Sequence, residues 1–118
     1  MNIGRVNWDY NEIRISIPSF LELYKYRPIR KNIGGMRIPH LFATWFMLKN
    51  LKPEIVIESG VWKGQGTWLI EKTLPETKII CIDIHLDSRE YISQRAQYFN
   101  RDFSKINWDF IRNKENTL

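Results

Sequence analysis

Residues 54–72 read EIVIESGVWKGQGTWLIEK. A short run rich in β-branched residues ends in Glu58 and breaks into Gly60, Gly64 and Gly66, just before a helix-like segment. Apolar residues at successive positions mark a strand buried on both faces, as in a parallel sheet. A packed core alone does not require an acid and spaced glycines at that point. A backbone that must come close to a ligand does, because glycine leaves no Cβ in the way.

The surrounding pattern repeats the theme. GQGTWLIEKTL reads as a helix stopped by Pro75, and KIICID, residues 78–83, as a second buried strand. DSREYISQRAQYF reads as a further helix: Asp87 and Glu90 have capping-box spacing, and Ile92, Ala96 and Phe99 share a face. YFNRDF, residues 98–103, begins a short third strand. Strand, helix, strand, helix, strand implies parallel pairing with right-handed crossovers. The expected fold class is α/β, a Rossmann-like doubly wound parallel sheet, incomplete at about three strands and preceded by an N-terminal helical segment. Upstream, PHLFATWFMLKNL is a strong helix with Pro39 in its first turn. IPSFLELYKY is a shorter one, with Ser19 and Glu22 as its capping box and Pro28 as its stop. KNIGGM is a loop. Residues 1–16 give no assignment. The chain divides into 1–38, an N-terminal segment with a basic loop, and 39–118, the N-terminal half of the sheet domain.

Composition excludes several classes. Apolar residues make up 43% of 118, enough for a core and against disorder. One cysteine, Cys81, permits no internal disulfide and fits a reducing compartment, so a cytoplasmic location is expected. No run approaches the ~20 apolar residues of a membrane span. Charge is uneven: residues 1–52 carry nine Lys and Arg against three Asp and Glu, while residues 53–118 carry nine against ten. The excess concentrates in YKYRPIRKNIGGMR. Three readings fit that segment: a solvated loop, a nucleic-acid grip, or an anion site for a small ligand.

The sheet order explains the glycines. In such folds ligands bind at the carboxyl ends of the strands. Gly60 follows the first strand, the next helix points its amides to the same place, and Asp83 ends the second strand. An acid there typically accepts hydrogen bonds from ribose hydroxyls. A dinucleotide fingerprint fails, since Leu69 stands where the third glycine belongs, and a P-loop fails because no Lys-Ser/Thr follows. Glu58 repels phosphate but suits an ammonium group and hydroxyls.

VIESGVWKGQGT followed by IICID resembles motifs I and II of class I S-adenosylmethionine-dependent methyltransferases, over about residues 39–110. Glu58, Gly60 and Gly64 match the acid and spaced glycines, with Trp62 in place of the middle glycine. That departure is most similar to the macrocin O-methyltransferase-like and cephalosporin hydroxylase-like group. The resemblance implies S-adenosylmethionine as cofactor. Glu58, Ser59, Gly60, Trp62 and Gly64 would lie around its methionine part, Asp83 at the ribose and Asp102 near the adenine. It implies a small-molecule methyl acceptor, such as a sugar or glycosylated metabolite, and names no catalytic base. It also makes the chain look like an N-terminal fragment, ending where a fourth strand should begin. As such, the first strand is left as an open edge and the 118 residues alone are expected to be inactive.

The remaining candidates have plainer readings. Asp83, His85 and Asp87 alternate as a metal site would, but are read as turn and cap residues, and no metal is expected. Cys81 is an inert core thiol, His40 a surface residue, and Trp45 and Trp68 core, while Trp62 faces ligand. The loop from Arg27 to Arg37, with its Asn32-Ile33-Gly34-Gly35 hinge, is expected over the carboxyl edge of the sheet as part of a lid. The alternative function is a non-catalytic module that binds nucleic acid or another polyanion through the basic segment. Against it, the glycines and Asp83 lie in the acidic half, so nucleic acid is not the expected partner and a membrane is excluded.

Overall fold

The computed structural model describes residues 5–111. Residues 1–4 and 112–118, at the ends of the two expected segments, lie outside the described residues. Three helices, α1 (Tyr10–Tyr24), α2 (Ile38–Leu51) and α3 (Gln65–Thr73), accompany three strands, β1 (Ile55–Ser59), β2 (Lys78–Ile82) and β3 (Gln97–Phe99). The strands form one sheet in the order β1-β2-β3. Both pairings are parallel, with Ile55 opposite Lys78, Ser59 opposite Ile82, and Ile82 in turn opposite Phe99. Among the described residues β1 pairs on one side alone. The architecture is α/β and Rossmann-like, as the alternation of elements predicts.

The pleat divides the core. Ile79 and Cys81 of β2 join Val56, Leu48, Ile70 and Leu74 on the face covered by α2 and α3. Ile80 and Ile82 join Ile55 and Ile106 on the other face, where Trp108 and Ile111 pack. These four β2 side chains are essentially inaccessible, which is why IICI, after the exposed Lys78, carries no polar alternation. A second layer joins the helices: Phe20 of α1 packs with Leu41, Trp45 and Phe46 of α2 and Trp68 and Leu69 of α3. Trp45 and Trp68 are core, and Cys81 is a buried free thiol. Burial pushes that thiol up to about 12, so it is inert near neutrality.

Two expected elements differ. The helix of residues 87–99 does not form. A single 3-10 turn at Leu86–Ser88 is followed by irregular chain up to β3. Local polar groups take the amides that a helix would use. The N–H groups of Glu90 and Tyr91 both donate to the Lys63 carbonyl. Ser93 N–H donates to the Tyr98 hydroxyl, and Ser93 Oγ accepts from the amides of Arg95 and Ala96. Asp87 and Glu90 therefore form no capping box. The first helix also begins earlier than its pattern suggests, at Tyr10, with Asp9 as its N-cap. Ser19 lies in its interior, and Glu22 pairs with Lys25 at 2.8 Å instead of reaching back to Ser19. Pro18 sits inside this helix.

Candidate functional site

β1 and β2 end side by side, and the chain leaving each turns around a shared cleft of about 490 Å3. Four residues singled out from sequence line it: Glu58, Gly60, Trp62 and Asp83. Ser59, Gly64 and Asp102 are not among its lining residues. Ser59 is the exposed last residue of β1. Asp102 caps a 3-10 turn through Ser104, whose amide and hydroxyl both donate to it. Those bonds hold its carboxyl below the usual range.

The three glycines have three different reasons to be glycine. Gly60 has φ +91°, its N–H donates to Ile82 O at 2.8 Å, and a Cβ built on it would meet no atom within 4 Å. It presents bare left-handed backbone to the cleft. Gly64, φ +103°, is the N-cap of α3, and a Cβ there would run into the Tyr91 carbonyl. Gly66 has no unusual φ, but a Cβ on it would strike Glu58 Oε2 and lie 3.0 Å from Met36 Cε. Gly66 therefore exists for the Glu58 carboxyl, which needs its space.

Glu58 is held below the glycine loop by the Thr67 hydroxyl, which donates to Oε1, and by Cys81 Sγ at 3.6 Å. Burial pushes this carboxyl from its ordinary 4.5 to about 7. The Thr67 and Cys81 bonds oppose the rise, and the charge of Asp83 adds to it. Asp83 behaves in the opposite way. Burial acts to raise it, but the amides of His85, Val61 and Trp62 all donate to it and together hold it below the usual carboxylate range. Oδ2 takes Val61 N–H at 2.8 Å and Trp62 N–H at 3.2 Å, and Oδ1 takes His85 N–H at 2.7 Å. One carboxyl near neutrality thus lies beside one held ionised.

Trp62 is 41% exposed and has φ +53°, a left-handed conformation rare for an aromatic residue. The Asp83 bond to its amide and its indole N–H, which donates to Ile33 O at 2.8 Å, hold it there. The second bond belongs to a seam. Lys63 Nζ donates to Lys31 O at 2.7 Å. The buried Gln65 amide pairs with Ile29 twice, accepting from its N–H at 3.1 Å and donating to its C=O at 2.9 Å. This seam lays residues 29–36 along the glycine loop. Gly34 and Gly35 consequently line the same cleft as Gly60, at the carboxyl edge, as the sequence predicts.

Asn32, Met36, His40, Val61, Gln65, Gly66, His85 and Ser88 complete the wall. Sequence reasoning reads His40 as a surface residue and His85 as a turn residue, and gives Gln65 and Ser88 no part in the site. Asn32 Nδ2 donates to Met36 O, while its Oδ1 is buried with no partner among the described residues. No group of three or more His, Cys, Asp or Glu with metal-binding geometry occurs among the described residues. No helix among them is long and apolar enough to cross a membrane.

No family model matches the chain, and no curated protein matches it. Among solved structures, one described as "cmcI-N160 SAH" is similar over 91% of this chain, at 15% sequence identity and a TM-score of 0.55. The chain spans 60% of the length of that structure. At that identity the likeness concerns the fold, and it places the three parallel strands, the flanking helices and the leading α1 in an α/β, Rossmann-like architecture.

Proposed function

We propose that the cleft binds S-adenosylmethionine and that the chain carries the cofactor-binding part of a methyltransferase acting on a small molecule. The observation that carries this reading is the meeting of Gly60, Glu58 and Asp83 in one cleft at the carboxyl ends of β1 and β2. The similar solved structure is described with SAH, S-adenosylhomocysteine, the compound left after the cofactor has given up its methyl group. The chain spans 60% of that structure, so turnover is proposed for the whole protein.

The residues present fit such a ligand. The open space over Gly60 admits a ligand against the backbone. Glu58 suits an ammonium group. Its carboxyl lies near its titration point, and an approaching cation favours its ionised form. The unpartnered Asn32 Oδ1 is a second acceptor on the same wall. Asp83 spends three acceptor sites on backbone amides. A carboxylate offers about four, which leaves one for a ribose hydroxyl. The Trp62 ring supplies an exposed aromatic face. When bound, the cofactor supplies an electrophilic methyl on a sulfonium: the acceptor forms a bond to that carbon as the carbon–sulfur bond breaks. The chain's contribution is to align the two partners and hold the acceptor's proton. His40 and His85 both line the cleft.

Isothermal titration with S-adenosylhomocysteine tests the reading. Saturable binding by the wild type, lost in Gly60→Val while the fold persists by circular dichroism, is the expected result. Equal affinity in both proteins, or no binding by the wild type, refutes it.

A further inference from the structure

A second cleft, of about 370 Å3, adjoins the first between the end of α1 and the start of α2. The two share Asn32, Met36 and Gln65 as a common wall. Arg27, Arg30 and Arg37 line the second cleft. From Leu23 to Pro53 the chain has seven Lys and Arg and no acid, and the neighbouring carboxylate, Glu22, pairs with Lys25 at 2.8 Å. The ion pairs Lys25–Glu22 and Lys63–Glu90 use none of these arginines. Arg27 Nη1 donates to Tyr24 O, and its guanidinium stacks on the Tyr24 ring at 4.0 Å. Arg30 Nη2 donates to Lys25 O. Each guanidinium has five donors, so most remain for a ligand. The backbone is also fixed, because Ile29 is anchored by Gln65 between Arg27 and Arg30.

We infer that this cleft is a subsite for an oxyanion, phosphate or carboxylate, carried by the methyl acceptor. The inference rests on the cofactor reading of the adjoining cleft. Planar guanidinium groups bind such oxyanions through paired hydrogen bonds. The acidic cofactor cleft repels the same group. An acceptor with an anionic end and a nucleophilic end is therefore oriented by charge, its anion at the arginines and its nucleophile towards Gly60. The shared wall makes one continuous path for such a molecule.

Titration of the protein with inorganic phosphate, with acetate and with a single-stranded oligonucleotide tests this. Phosphate is expected to bind, and Arg30→Gln and Arg37→Gln, both exposed residues, each to weaken it about tenfold. Lys72→Gln, on the outside of α3, is expected to leave it unchanged, and all three variants to bind S-adenosylhomocysteine as the wild type does. Phosphate binding without acetate supports a phosphorylated acceptor, and equal binding of acetate supports a carboxylated one. Failure of both anions, insensitivity to the arginine variants, or equal weakening by Lys72→Gln overturns the subsite. So does an oligonucleotide that binds far more tightly than phosphate and is released steeply by salt, which assigns the surface to nucleic acid. Loss of S-adenosylhomocysteine binding with phosphate binding intact falls on the cofactor reading. Loss of phosphate binding with S-adenosylhomocysteine binding intact falls on the subsite.

Discussion

Asp83 Oδ2 accepts the main-chain N–H of Val61 at 2.8 Å, across 22 residues of sequence. The carboxylate that directly follows β2 thereby braces the loop that leaves β1. Its bond to the Trp62 amide stabilises a left-handed residue that has no glycine freedom. The brace and the proposed ribose acceptor are one side chain.

Asp83→Ala is therefore expected to affect the fold as well as the cofactor. From the sequence, a carboxylate at a strand end beside a cleft predicts little change in stability. The three amides it holds predict otherwise, at about 2 kcal/mol. Asp83→Asn keeps one acceptor oxygen and should lose less. Thermal melts of both variants beside wild type check the order. The depressed Asp83 contributes stability that is present above the ordinary aspartate value of 3.8 and lost as pH falls through its lower native value. Asp83→Ala should accordingly shrink its deficit against wild type at the acid end of a pH series.

Glu58 predicts the opposite pH dependence. Its native value, about 7, lies above its ordinary 4.5. The folded state binds the proton more tightly than the unfolded one, so this term favours folding below pH 4.5 and declines as pH rises to 7. The full change is roughly 3 kcal/mol. Glu58→Gln, which mimics the protonated acid, should abolish that decline. Its stability relative to wild type should increase between those pH values. Denaturant melts across the range check this, and parallel pH profiles for the two proteins would contradict the buried-acid assignment.

Gly60 and Gly66 separate ligand space from packing. Gly60→Val places a branched side chain at φ +91° with open space around it. The backbone cost is about 1–2 kcal/mol, and cofactor binding should be lost. Gly66→Ala meets the Glu58 carboxyl and Met36. It should destabilise the fold and shift the Glu58 titration, which carboxyl-carbon NMR would detect.

What the sequence disclosed follows from the range of its signals. IVIES and KIICI carry uninterrupted apolar runs, and their parallel pairing follows from the intervening helix, so the sheet and its carboxyl edge were legible. Asp83 was legible as a residue of the cleft at that edge by its place in the pattern, though not as a brace. The segment after β2 carries helical spacing at Ile92, Ala96 and Phe99, yet Ile92 is exposed and Phe99 belongs to β3. Its amides are claimed by Lys63, Tyr98 and Ser93, partners that periodicity does not register. The glycine spacing suggested one ligand-driven cause, whereas Gly64 answers to the Tyr91 carbonyl and Gly66 to Glu58. The part Gln65 plays in the wall was not legible, because it depends on contact with Ile29, 36 residues away.

That contact leads to the last prediction. Gln65 is 3% exposed and closes a two-bond pair with the Ile29 main chain. Ile29 is itself buried, so neither its amide nor its carbonyl has water as a ready substitute. Gln65→Leu keeps the volume and removes both bonds, leaving two buried main-chain groups unpaired at about 1–3 kcal/mol each. The remaining stitches between the segments, Lys63 to Lys31 and Trp62 to Ile33, are exposed and individually worth less. The loss should therefore loosen residues 29–36 locally before it unfolds the sheet. Hydrogen exchange is expected to accelerate at Ile29 and at Gly35, whose N–H bonds Asn32 O at 3.0 Å. The β2 amides should keep their protection. Cofactor and oxyanion binding should weaken together, because the released segment carries walls of both clefts. Loss of protection spread evenly over β2 and the segment would instead show that Gln65 serves the core as a whole.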